Sequence, residues 1–472
     1  MSTHVDSVGA GLPAAESENP RWLAVVVLAA ALALDAGGVA VVNAALPVIG
    51  QDLGIGSADL QWMMTSYAVT FAGFLLFGGR AADVLGRRRV FALGVGLFTL
   101  ATIAAAVAPV ASVLIVARAL QGVGAALSGP SSLALLTEMF PEGPRRNKAL
   151  AVYTSVGASS FSAGVVIGGV LTDFLSWRAV FVFNVVIGLA VLLAIKSVLP
   201  EGRRSRQPLD LVGATAVTGG LLLAVFGLSQ ASHAGWGTPL TYVPLVLSAI
   251  LLVGFVWWER RAANPLLSLA IFRLPTVTAA TVAAVAFFTA VLAVLFFAPI
   301  YLQGLLGYTP LQSGLAILPM GMIVVVSSNI AGRMMARVGQ KPLLILGLLL
   351  IAAGVGLWAV TPLDADYWLH IFPAVAVMSV GQGVAFAGLT AASLTGVPQH
   401  EHGVAGGLNV TAQQLGGSVG VAALVTLAAS LGFADTPQGL LDGYHAAYLA
   451  AVAVLLLGIV VITVVMRGPR RT

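Results

Sequence analysis

Two charged residues stand inside otherwise apolar stretches: Asp35 in ALALDAGGVAVV and Arg118 in ASVLIVARALQG. An ionised side chain in such a setting is costly, and where the stretch crosses a bilayer it faces a cavity or a partner. A carboxyl held away from bulk water suits a group that takes up and releases a proton. Asn43 follows Asp35 by eight residues, close to the same helix face. Gln121 and Gly122 follow Arg118 at i+3 and i+4, again on one face. If the two charges meet, the guanidinium holds the carboxylate ionised and protonation releases it, which makes a two-state element. The alternatives are a structural acid tied to Arg118, and an arginine that is only a static polar anchor.

Other groups carry less chemistry. Asp83, Arg87 and Arg88 share a short basic turn with Gly79 and Gly86, a pattern that fits a charge clamp between helices. Bilayer anchoring would explain the arginines but not the acid or the two glycines. Phe287, Phe288, Phe296, Phe297 and Tyr301 crowd one apolar stretch. They fit either a pocket wall for a bulky apolar or cationic ligand, through contact area and cation–π attraction, or ordinary core packing. Glu138, near the inner end of span four, reads as a solvated loop-edge acid rather than a second proton site. His400, Glu401 and His402 adjoin, but neighbours on a helix diverge and no third-ligand cluster is near, so no metal site is expected. The absence of cysteine excludes disulfides, thiolate metal sites and a thiol nucleophile. No nucleophile–base pair and no Walker sequence is present, so neither an enzyme, nor ATP, nor a cofactor is expected.

The elements that must hold these residues follow from composition. The chain has 472 residues, 59% of them hydrophobic and 9% charged, with a mean hydropathy of +0.99. Soluble domains carry about 25% charged residues, so the fold class expected is an all-α polytopic membrane protein. An open chain in lipid must satisfy its backbone within each span. The spans fall at 22–46, 60–79, 89–108, 111–135, 148–172, 177–198, 209–229, 240–258, 275–302, 311–332, 341–361, 367–397, 403–431 and 444–466, fourteen in all. The polar first 20 residues lack a cationic and an apolar region, and read as a cytosolic tail rather than a signal peptide. With that tail inside, 21 of the 23 Lys and Arg fall in inner loops or tails; Arg178 falls outside and Arg118 within a span. The positive-inside rule favours this topology and accounts for the pI near 9.7 without a nucleic-acid partner.

The two halves echo each other. Gly79-Arg80…Gly86-Arg87 is matched by Gly332-Arg333…Gly339-Gln340-Lys341, Gln121-Gly122 by Gln382-Gly383, and Gly164…Gly168 by Gly416…Gly420, in the same order. This divides the chain into a tail at 1–21, a six-helix bundle at 22–200, a linker with two inserted spans at 201–274, a second bundle at 275–467 and a tail at 468–472. Repeats with a site at their interface are how secondary transporters are built. The glycine pairs fit close helix approach, for packing or for gating. The inserted spans seven and eight are expected to be peripheral.

Four motifs resemble the major facilitator superfamily, in its fourteen-span drug:proton antiporter branch. Gly79…Asp83…Gly86-Arg87-Arg88 is similar to the superfamily's signature loop, with Ala81 and Val84 where Leu and Arg are usual. Leu34-Asp35…Asn43-Ala44-Ala45-Leu46-Pro47 resembles the branch's first-helix motif and Arg118-Ala119-Leu120-Gln121-Gly122 its fourth-helix motif. Gly164-Val165-Val166-Ile167-Gly168-Gly169 resembles the fifth-helix antiporter motif, with Val165 where Pro is usual. Trp177-Arg178…Phe181…Asn184…Gly188 also matches the branch. The resemblance implies a proton-driven exporter of drugs, dyes or antibiotics in a cell membrane, both termini cytoplasmic, without a cofactor. Beside it, the residues themselves give the expected sites: proton coupling at Asp35 and Arg118, a cytosolic clamp at Asp83, and a substrate cavity near Asn43, Gln121 and the span-nine aromatics. The absence of an acid in 311–332 favours neutral or monocationic amphiphiles over dications. An uptake symporter of the same fold and a non-transporting receptor remain as alternatives.

Overall fold

The computed structural model describes residues 18–140, 144–201, 210–262, 269–397, 402–431 and 436–466, and among them every regular element is helical. The first half comprises α1 (Glu18–Leu53), α2 (Ser57–Leu85), α3 (Arg87–Ala106), α4 (Ala111–Met139), α5 (Pro144–Phe174) and α6 (Trp177–Val198). Next come α7 (Leu211–Ala234) and α8 (Pro239–Glu259), then a 3₁₀ turn at Leu269–Arg273. The second half comprises α9 (Pro275–Gly304), α10 (Pro310–Ile317), α11 (Pro319–Val338), α12 (Gln340–Trp358), α13 (Phe372–Leu394), α14 (His402–Leu431) and α15 (Pro437–Val465), with a π turn at Tyr367–Ile371 leading into α13. Each apolar stretch expected from the sequence coincides with helix. The tenth is divided into α10 and α11 at Pro319, where the missing N–H breaks the hydrogen-bond ladder. Among the described residues twelve segments are long and apolar enough to cross a bilayer, α10 and α11 together making one of them. The helices α2 and α5 stand outside that set, although 29 and 31 residues are ample length for a bilayer at about 1.5 Å per residue.

Helix pairing repeats across the halves. The first half packs α1 on α5 and α6, α2 on α4, and α3 on α4 and α6; the second packs α9 on α14 and α15, α11 on α13, and α12 on α13 and α15. The echoed glycines occupy matching crossings. A Cβ on Gly164 or Gly168 would lie 2.8 Å from Gly37 O or 2.6 Å from Val41 O of α1; on Gly416 or Gly420 it would collide with Val285 O or Thr289 Oγ1 of α9. Likewise Gly122 abuts Tyr67 O and Thr70 Oγ1 of α2, while Gly383 abuts Val324 O and Ser327 Oγ of α11. The turns repeat too. Gly86 (φ +102°) and Gly339 (φ +83°) are single residues between helices, in a conformation that disfavours a Cβ. Arg88 then donates to Leu199 O at the end of α6 (3.0 Å), as Lys341 does to Thr463 O at the end of α15 (3.0 Å). Cations suit such helix C-termini.

The inserted helices differ from expectation. Only α8 is peripheral, with Ile250, Val253 and Trp257 exposed. α7 lies across both halves, packed on α2 and α14. Its Val217, Leu221 and Val225 join Val69 and Ala422 in one cluster, Phe226 meets Trp62 at 6.5 Å, and Leu228 O accepts from Thr426 Oγ1 at 2.8 Å.

Candidate functional site

Arg118 is 1% exposed, and its donors are directed at α2 and α4. Nε donates to Met63 O at 2.8 Å, Nη1 to Gln121 Oε1 at 2.8 Å, and Gln121 Nε2 continues to Thr102 Oγ1 of α3 at 2.7 Å. The guanidinium lies 4.7 Å from the Tyr67 ring centroid, and Tyr67 stacks on Phe71 at 5.9 Å. Nη2 is buried and unpartnered among the described residues. The expected pairing of Arg118 with Asp35 is absent: the helical register turns the guanidinium onto the Met63 carbonyl instead. Asp35 is half-buried and accepts no hydrogen bond or ion pair among the described residues. It lies within electrostatic range of Tyr67 on α2 and Tyr153 on α5; Tyr153 OH and Ser132 Oγ are 2.6 Å apart. Tyr67 is also in range of Arg118, so both the acid and the base act on this one side chain. No local sequence signal marks Tyr67, Met63 O or Thr102 as neighbours of this arginine.

The expected cavity set divides. Gln121 is buried in the Arg118 network. Phe296, Phe297 and Tyr301 are almost fully buried and form a core cluster rather than a cavity wall. Phe297 meets Tyr444 at 5.1 Å and Tyr448 at 5.8 Å, Tyr301 meets Trp358 at 6.2 Å, and Tyr301 OH donates to Pro362 O at 2.5 Å. Tilted and edge-to-face contacts of this kind are favourable packing in their own right. Phe287 is buried as well, while Phe288 is half-buried. Phe386 on α13, which no sequence pattern marks, is 43% exposed and lies 6.4 Å from Phe287.

Asn43 belongs to a seam between the halves. It is 4% exposed with neither side-chain polar atom partnered among the described residues, and it lines a small cavity of ≈ 10 Å³ with Val165, Leu295, Pro299, Ser313 and Gly314. That volume sits at the lower limit for one water molecule. The seam is tight: Cβ positions on Gly169 and Gly314 would lie 2.8 Å from Pro310 O and 2.9 Å from Val165 O, and Gln303 Nε2 donates to Ala44 O at 3.1 Å. These contacts join α1 and α5 to α9 and α10 at the end of the bundle opposite the Arg87 turn. Gly169 is therefore a seam residue, whereas Gly164, Gly168, Gly416 and Gly420 pack helices within one half.

At the arginine-bearing end, Arg87 donates to Glu138 Oε2 (3.0 Å) and Ala134 O (3.2 Å), and Arg88 to Glu201 Oε1 (2.6 Å). Both ties stay within the first half, so Glu138 is an ion-pair partner. The Asp83 side chain lies outside the described residues, as do His400 and Glu401. Gly79 has only ordinary contact, with Pro130 Cβ 3.7 Å from its Cβ position. Arg178, the base expected outside, donates to Asp52 Oδ2 at 2.8 Å beside Trp177 Nε1, also at 2.8 Å.

The Major Facilitator Superfamily profile matches residues 28–421. The chain is 39% identical to the puromycin resistance protein pur8 of Streptomyces alboniger, over 94% of this chain and 91% of that one. It is 38% identical to the cephamycin export protein CmcT of Amycolatopsis lactamdurans, over 92% and 90%. It is 36% identical to the tetracenomycin C resistance and export protein of Streptomyces glaucescens, over 87% and 76%. Among solved structures, a bacterial homologue of the lysosomal transporter Spinster, in an inward-facing and unoccupied conformation, matches with TM-score 0.68 at 14% identity, over 95% of this chain and 98% of that one. A peptide transporter in complex with sulfate matches with TM-score 0.69 at 18% identity, over 94% and 96%.

Proposed function

The chain belongs to the major facilitator superfamily, and on that premise we propose that it exports bulky amphiphilic organic compounds, antibiotics among them, in exchange for protons. The observation that carries this reading is near full-length similarity to relatives named for antibiotic resistance or export. The geometry supports it. One half-buried, unpaired carboxyl, Asp35, sits beside a network that ties Arg118 to α2, α3 and α4. The seam at Gly169 and Gly314 closes one end of the molecule.

In this reading all fourteen segments span, because α2 and α5 pack lengthwise on α4 and α1, which do. The two bundles are 22–200 and 275–467. The arginine-bearing end faces the cytosol, so the closed seam faces outward and substrate enters from the cytosolic side. A proton arriving at Asp35 from outside accompanies substrate release. One proton moving through 100 mV supplies about 2.3 kcal/mol, enough for a gradient of roughly 50-fold in a neutral substrate. Phe288 and Phe386 offer the flat apolar contact that an amphiphile needs.

The test is proton flux in liposomes under an imposed pH gradient, with cationic dyes and antibiotics, beside Asp35→Asn. Compound-dependent proton movement that Asp35→Asn abolishes is expected. Unchanged coupling in the variant would move the proton site elsewhere. Absence of flux with every compound would overturn the export reading.

A further inference from the structure

We infer that the side cavity between α7, α8, α9 and α14 binds an anionic phospholipid, its acyl chain in the cavity and its headgroup on Arg260, Arg261 and Arg273. The cavity measures ≈ 670 Å³, and Leu221, Phe255, Phe272, Val285, Leu415 and Val419 are among its walls. That is the size of a ligand site. Its hydroxyls are mostly satisfied: Thr289 Oγ1 donates to Gly416 O and Thr281 Oγ1 to Val277 O. Thr411 is 8% exposed with its hydroxyl unpartnered among the described residues, which leaves one donor for an ester carbonyl. The lining follows α14 from Leu408 to Leu424, about 24 Å at 1.5 Å per residue. One leaflet of hydrocarbon is about 15 Å deep, so the cavity is long enough for an acyl chain.

The occupant follows from place and charge. An apolar cavity does not retain water, and this one lies among membrane-spanning helices with exposed apolar neighbours Val253 and Trp257. Its arginine-bearing end supplies the headgroup site. Val256 lines the cavity and Arg260 follows one turn later; Phe272 lines it and Arg273 is next. All three arginines are exposed, and Arg261 lies over the Trp257 ring at 4.0 Å. The acids at this corner are engaged or buried. Asp210 accepts from Gly213 N (2.9 Å) and Trp258 Nε1 (3.0 Å), and Glu259 is buried. The lipid would fill the wedge between α7–α8 and the α9–α14 crossing, where Gly416 and Gly420 also form part of the wall.

The experiment uses the full chain in phosphatidylethanolamine liposomes containing phosphatidylglycerol with a diazirine in mid-chain, with adducts mapped by mass spectrometry. Adducts on Leu221, Leu415 or Val419 are expected, together with their loss in Ala423→Trp, whose ring would fill the mouth. Adducts confined to outward residues such as Leu193 and Val246 would overturn the site. Phosphatidylglycerol should compete roughly 100-fold better than phosphatidylethanolamine, given three basic residues at the surface. The triple variant Arg260→Gln, Arg261→Gln, Arg273→Gln should bring the two within about threefold. Equal competition on the native chain would overturn the headgroup assignment. Displacement by an exported dye but not by phosphatidylglycerol would assign the cavity to cargo instead and overturn the proposal.

Discussion

Arg118 is held by geometry that lysine cannot copy. Its Nε and Nη1 diverge to a carbonyl of α2 and an amide of its own helix while its face meets Tyr67, and a planar fork is what lets one side chain do all three. Gln121→Leu strips a partner from both Arg118 Nη1 and Thr102 Oγ1, at about 1–3 kcal/mol for each buried group. The expected result is a clear drop in melting temperature in detergent. Tyr67→Phe keeps the ring under the guanidinium and should leave stability near native, whereas Tyr67→Leu loses about 0.5–2 kcal/mol of cation–π attraction. Equal melting of the two Tyr67 variants would show that the ring carries none of it. This separates what was legible in the sequence from what was not. A charge among apolar residues is visible in composition, so Asp35 and Arg118 stood out. Of the groups that hold Arg118, Gln121 at i+3 is legible, but the Met63 carbonyl, the Tyr67 ring and the Thr102 hydroxyl behind Gln121 have no local signature. The Asp35–Arg118 pairing was inferred from type alone, and the register of α4 against α2 overrides it.

At the scale of elements, the repeat was readable because glycine at a crossing is irreplaceable whatever surrounds it. Gly164 and Gly168 let the α1 backbone approach α5, and Gly416 and Gly420 let the Val285 backbone and the Thr289 side chain of α9 approach α14. Gly168→Leu would drive a side chain into Val41, and overpacking of this kind costs about 1–3 kcal/mol or more. Gly254→Ala on α8 meets nothing within 4 Å and should be neutral or stabilise by about 0.5–1 kcal/mol. Fluorescence-detected size-exclusion melting of the two variants measures the contrast, and a Gly168→Leu protein as stable as Gly254→Ala would refute the close-crossing argument. The role of α7 was not legible. Its sequence is apolar on all sides, so nothing in it marks which face meets α2 and which meets α14. Conversely, the span-nine aromatics looked like a pocket wall. The α9 helix is enclosed by α12, α14 and α15 near Phe297 and Tyr301, and only the three-dimensional neighbourhood distinguishes core from cavity.

The whole molecule is poised around one seam. With α5 pressed on α10 and Asn43 sealed behind Val165 and Ser313, the end opposite the arginines is shut. Opening it requires α5 to leave α10, and Gly169 sets how cheaply it can return. A side chain there would place its Cβ 2.8 Å from Pro310 O and 3.0 Å from the Leu311 Cα, both backbone and unable to yield. Gly169→Leu should therefore shift the population toward the state open at that end. An overpacking cost of about 1–3 kcal/mol corresponds to a shift of roughly 5- to 150-fold. The chain has no cysteine, so a single reporter is clean. Ser313→Cys places it at a position 1% exposed beside the small cavity at Asn43. A membrane-impermeant maleimide presented to that face should label Ser313→Cys slowly in the native background and at least about fivefold faster with Gly169→Leu. Labelling at the same rate in both would mean that the α5–α10 contact does not control opening, and the closing step would have to be sought elsewhere along the seam, at the Gln303–Ala44 contact first.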